Sequence, residues 1–159
     1  MNTDMTTAQK TAKGFTLIEL LIVIGILAIL MAITLVALNP ARQFAQSNNT
    51  KRRSDVNAIL NAIHQYSADN QGLLTDLSIP TDAAGIIGNG TGEVDLCASL
   101  VPLYIAALPV DPQTNNGTPV TDCVASYATG YDVVSSATNN RVTASAPGAE
   151  LSEVVSVTR

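Results

Sequence analysis

Aromatic side chains are scarce in this chain of 159 residues: it has no tryptophan, two phenylalanines and four tyrosines. Large rings dominate most protein cores. A soluble domain built mainly from Ala, Thr, Ser, Asn and Gly therefore has only a small core to bury. Histidine is scarcer still. The single His64 has no nucleophile or ligand partner near it in sequence, so an acid–base triad is hard to build. It reads as a partly exposed helix residue. GxSxG, a phosphate-cradling glycine loop and HExxH are all absent, and nothing in the chain points to an enzyme. The two cysteines, Cys97 and Cys123, lack the CxxC spacing and histidine partners of a metal site.

Positive charge is scarce from Asp69 onward. Ten acids there face only Arg141 and Arg159, a balance of −8 within an overall formal charge of −5. A phosphate backbone needs a positive face, so this acidic part is not expected to bind nucleic acid. Between Arg42 and Asp55 the balance reverses, with Arg42, Lys51, Arg52 and Arg53 against one acid. Such a cluster reads as a solvated helix face, or as a surface set against anionic headgroups or a neighbouring acidic domain.

One feature is abundant. From Phe15 to Leu38 the chain is almost wholly apolar, and Glu19 is its one charge. As a helix this run is ~36 Å long, enough to cross a ~30 Å hydrocarbon layer. It is longer than the ~7–15 apolar residues of a secretory signal and ends at Asn39-Pro40 without a small-residue cleavage site. Lys10 and Lys13 precede it, which keeps residues 1–14 in the cytoplasm and sends the remainder outward. On that oxidising side the even pair Cys97 and Cys123 reads as a disulfide. A carboxylate inside a membrane-length run is a functional residue by default.

Lys13-Gly14-Phe15-Thr16-Leu17-Ile18-Glu19 resembles the processing site of type IV pilins and the pseudopilins of type II secretion. The resemblance covers the first third of the chain strongly and the rest weakly. It implies that a dedicated membrane peptidase cuts between Gly14 and Phe15 and that the new amino terminus of Phe15 is methylated. It also implies that Glu19 guides assembly by pairing with the amino terminus of a neighbouring subunit. A monomeric anchor, on this reading, gains nothing from Glu19. Leu108-Pro109-Val110-Asp111-Pro112 resembles the Leu-Pro-x-Asp-Pro segment of major pseudopilins and some Gram-positive-like pilins, and two prolines flanking an aspartate also make a generic turn. Some pseudopilins bind calcium nearby, which makes Asp111, Asp122 and Asp132 calcium candidates. EF-hand spacing is absent, and surface solubility accounts for these aspartates equally well.

The helical pattern resumes after Pro40. Val56, Ile59, Leu60, Ile63 and Tyr66 form one apolar face, opposite Arg53, Asn57, Asn61 and Gln65. Proline in a membrane helix need not end it, so one helix is expected from Phe15 to about Asp69, with a stop at Asp69-Asn70-Gln71-Gly72. Family members commonly carry a proline one turn earlier, which leaves the place of any kink open. Gly72 to Gly92 reads as irregular loop. Leu96, Leu100, Leu103 and Ala107 suggest one or two helical turns broken near Pro102. Residues 131–135, 141–145 and 154–158 alternate as three strands of an antiparallel meander. Asn48, Asn89 and Asn116 match the glycosylation acceptor pattern, as chance allows in an Asn/Thr-rich chain.

The expected fold is thus α+β and pilin-like: a long N-terminal helix packed on a small antiparallel sheet. Residues 1–14 form the leader, 15–38 the transmembrane or filament-core helix, 39–70 the amphipathic stem and 71–159 the head. The expected function is that of a subunit of a type IV pilus-like filament, with no catalysis and no required cofactor. Its partners are its own copies, a prepilin peptidase, the assembly machinery and lipid before assembly. It begins in the cytoplasmic membrane and ends in an extracellular or extracytoplasmic filament. The alternatives are a pseudopilin of type II secretion and a membrane-anchored binding module that never polymerises.

Overall fold

The computed structural model describes residues 14–159. Residues 1–13, the expected leader except for Gly14 and including Lys10 and Lys13, lie outside the described residues. The chain divides into two compact units, residues 1–40 and 41–159. In the first, helix α1 runs Leu17–Leu38 and buries no residue. A helix apolar on every side has no polar face to present to water, so it belongs in lipid or among other apolar helices.

The expected single helix is interrupted. Asn39 takes a left-handed conformation (φ 41°, ψ 77°), and helix α2 starts afresh as Pro40–Asp69. The cause is local: proline disfavours the α conformation in the residue before it, asparagine tolerates the left-handed one, and proline suits a first helical turn.

In the second unit, Val56, Ile59, Leu60, Ile63 and Tyr66 of α2 are all buried, as the periodicity predicts. The stripe extends further back, through Ala45, Asn49 and Arg52. His64 and Gln65 lie exposed beside it. The stripe packs in one cluster with a four-stranded antiparallel sheet of order β1-β2-β3-β4: Gly85–Gly88, Ala128–Ser135, Val142–Ala146 and Val155–Thr158. Alternation does the sorting. Thr129, Tyr131 and Val133 of β2 and Val142, Ala144 and Ala146 of β3 turn inward, with Val133 opposite Ala144.

Strand β1 corrects the loop expected over 72–92. Its sequence, Gly-Ile-Ile-Gly, is too short and glycine-flanked to show alternation. The glycine is needed for close packing: a Cβ at Gly85 would lie 2.6 Å from Val94 Cγ2. The short helix α3, Cys97–Leu100, ends before Pro102, and Leu96 and Leu100 are buried. Leu103 departs from the expected apolar pattern, being 77% exposed beyond that break. The predicted disulfide is present, Cys97 to Cys123 with Cα atoms 5.4 Å apart, and it ties α3 to the loop before β2.

Candidate functional site

Two places bring chemistry-bearing residues together. The first is the start of α1. Gly14 is exposed, with no atom within 4 Å of the position a Cβ would occupy. The fold itself therefore sets no steric requirement for glycine there. Phe15 is exposed as well. Thr16 is the N-cap, and it forms a reciprocal capping box with Glu19. The Glu19 backbone N–H donates to Thr16 Oγ1 at 3.2 Å; Glu19 Oε2 accepts from the Thr16 N–H at 2.8 Å and from Thr16 Oγ1 at 2.7 Å. Helix starts leave backbone N–H groups without partners, and this arrangement satisfies two of them. A lone subunit does gain something from Glu19, contrary to the sequence-based expectation: the carboxylate closes its helix.

The second place is the buried face of α2 opposite the Leu-Pro-Val-Asp-Pro segment. Arg52 is fully buried. Its guanidinium grips Asp111 with two bonds, Nε to Oδ2 at 2.6 Å and Nη2 to Oδ1 at 3.1 Å. Nη1 donates to Glu150 Oε2 at 2.9 Å and to Asn49 Oδ1 at 3.1 Å. Asn49 in turn donates to the Glu150 carbonyl and accepts from the Glu150 N–H. Burial alone would raise the Asp111 pKa, but the bonds from Arg52 and the Gln113 N–H hold it below the usual carboxylate value. Glu150 is lowered too, by hydrogen bonds from Asn48 and Arg52. Gly130 leaves room for the network: with φ +77°, a Cβ there would sit 3.0 Å from that of Asp111.

The basic cluster is therefore only in part the solvated face expected. Lys51 pairs with Asp55 at 3.2 Å and donates to the Val110 carbonyl at 2.9 Å, and Arg53 pairs with Glu153 at 2.5 Å. The acidic head these cations meet is their own. Tyr131 extends the network, donating to Asp55 at 2.7 Å. Its pKa is pushed up by burial first and by the Asp55 carboxylate second.

The three calcium candidates are not brought together. Asp111 is taken up by Arg52. Asp122 accepts from the Val124 and Ala125 N–H groups in its own turn. Asp132 is half-buried on β2, and burial raises its pKa. Among the described residues no group of three acidic, histidine or cysteine side chains forms a metal cluster. Of the three glycosylation-pattern asparagines, Asn48 and Asn89 have their amides engaged, by Glu150 and the Ala125 carbonyl respectively. The sequence reading missed Arg52, Asn49 and Glu150 as a set. The signal was present in register: Asn49 and Arg52 continue the 56–66 stripe at helical spacing.

No curated protein and no solved structure matches the chain. Residues 9–35 match the family model described as the prokaryotic N-terminal methylation motif. That segment takes in the end of the expected leader and the first part of α1, and the match shows a prepilin-type motif there.

Proposed function

We propose that this chain is a structural subunit of a type IV pilus-like filament. A prepilin peptidase cuts between Gly14 and Phe15, and the new Phe15 amine is methylated. The subunit waits in the cytoplasmic membrane, single-pass, and is then polymerised outward. The observation that carries this reading is α1, which directly follows the matched leader and buries nothing within its own chain. Lipid satisfies such a helix before assembly, and the same helices of other copies satisfy it afterwards. The exposed, sterically unconstrained Gly14 suits a peptidase that needs an unhindered backbone. The resemblance of the Leu-Pro-Val-Asp-Pro segment, whose aspartate anchors the buried network, to that of major pseudopilins favours a second reading, a pseudopilin of type II secretion.

In assembly, Glu19 is assigned to pair with the Phe15 amine of a neighbour. Glu19→Ala should leave membrane insertion and cleavage intact while the filament-borne fraction collapses, with Glu19→Asp intermediate. Thr16→Val separates assembly from capping, since it loses the hydroxyl of the box but keeps the carboxylate. The measurement is the ratio of filament-borne to membrane-borne subunit at matched expression, with intact mass to locate the cut. An unchanged ratio in Glu19→Ala, or residues 1–14 retained in assembled material, would remove the basis for the reading.

A further inference from the structure

Arg141 and Arg159, the only cations after residue 69, are both exposed. Neither has a carboxylate partner among the described residues, although Lys51, Arg52 and Arg53 all do. Arg141 reaches only the Thr158 carbonyl, and Arg159 reaches the amide oxygens of Asn61 and Asn57. Both line one groove of about 430 Å³, together with His64 and the apolar side chains of Leu74, Ile79 and Val142. The groove thus has a cationic rim over an apolar wall.

The complementary shape lies elsewhere on the same unit. Val124 is 94% exposed, the most exposed large apolar side chain among the described residues. It sits next to Cys123, on the loop held by the disulfide. Two residues before it, Asp122 uses Oδ1 to fix the turn, while Oδ2 makes no hydrogen bond within the described residues. A single exposed valine is ordinary. A valine and an exposed carboxylate held side by side on a braced loop form a ready ligand.

We propose that the groove of one copy receives the Asp122–Val124 loop of a second copy. The carboxylate lies against Arg141 and Arg159, and the valine against the apolar wall. This rests on the filament reading above and names a head-to-head contact for it. Copies of so acidic a head repel one another, and the unpaired arginines are where a neighbour's acid is welcome. The disulfide and the turn order the loop in advance, which lowers the entropy lost on docking. Groove and loop share no residue, so every copy carries both halves of the contact. Such an interface is heterologous: it propagates into a ring or an open helical array and does not stop at a two-fold dimer.

The test uses the full-length chain in a host that assembles it, reading filament-borne against membrane-borne subunit. Arg141→Glu and Asp122→Arg, made singly, should each lower the filament fraction about tenfold or more, since each sets like charges together. Combined in one chain, they restore opposite charge across the contact and should recover most of the loss. Val124→Glu keeps the Asp122 turn intact and should also lower assembly, which guards against a distorted loop in Asp122→Arg. Absence of thiol labelling under non-reducing conditions shows that each variant keeps its disulfide. Single variants that assemble like wild type would overturn the proposal, and so would a combined variant no better than the singles. A wild-type chain that forms no filament would instead strike the reading beneath it, and the docking contact with it.

Discussion

Removing the Arg52 charge tests the central lock of the head. In Arg52→Met the side chain keeps much of its length, but Asp111 loses both guanidinium bonds and retains only the Gln113 N–H. Asp111 is 3% exposed and cannot turn to water in place. Breaking a buried pair from one side costs ~3–5 kcal/mol, mainly because the remaining charge is stranded. Glu150 adds less, since its side chain is 27% exposed and can rehydrate. Against a typical domain stability of ~5–15 kcal/mol, the loss is a large fraction of the total.

Urea unfolding of the detergent-solubilised full chain, followed by tyrosine fluorescence, measures this directly. With no tryptophan to dominate the signal and all four tyrosines between Tyr66 and Tyr131, the probe reports the unit of residues 41–159 alone. Arg52→Met combined with Asp111→Leu should be more stable than Arg52→Met, because no buried carboxylate is left behind. A loss below ~1 kcal/mol in the single variant would refute the reasoning. So would a double variant no better than the single, since the penalty would then not be the stranded charge.

The same carboxylates set the acid limit. Asp111 and Glu150 both have folded pKa values below their unfolded ones, so their stabilisation is present above ~4 and is lost as pH falls through the lower folded values. The urea midpoint should hold from neutrality to about pH 5 and fall below about pH 4, less steeply in Asp111→Asn. At the alkaline end Tyr127 and Tyr131 are raised, both chiefly by burial, so their contribution holds below ~10 and is lost as pH rises beyond it; stopped-flow pH jumps read by tyrosinate absorbance should show ionisation lagging with unfolding. Replacing Cys97 and Cys123 by serine should cost the head ~3–4 kcal/mol and lower export yield while leaving membrane insertion unchanged, as measured by the urea midpoint and the exported fraction.

What was legible in the sequence follows from the physics of each signal. Apolar periodicity reports burial only where the buried residues are apolar, so 56–66 was plain, whereas Asn49 and Arg52 share its helical spacing but not its apolar character. Those residues are buried because partners from distant segments, Asp111 and Glu150, satisfy them, and no local pattern announces a long-range pair. Strand β1 escaped for a related reason: its glycines answer close contact with neighbours such as Val94, which composition reads as loop. The break at Asn39 was written locally in Asn-Pro, but membrane helices often run through proline, and that expectation competed with the turn chemistry. The cysteine pair was readable because it needs only an even count and an oxidising side.

The capping box changes how the acid at the head of α1 is understood. A membrane helix must satisfy its first N–H groups near a medium with little water to offer, and each group left bare there is costly. Thr16 and Glu19 meet that need within one chain, and the negative carboxylate sits where the helix dipole is positive. The expense of carrying a charge at the edge of lipid is therefore partly offset before any partner arrives. The pairing with a neighbour's amine that the proposed function assigns to Glu19 would have to compete with the Thr16 bonds or share Glu19 with them. Oε2 takes both bonds from Thr16, while Oε1 is used in neither. Under the proposed function, a partner's amine approaching Oε1 adds to the cap without displacing it, and the helix start stays closed through assembly.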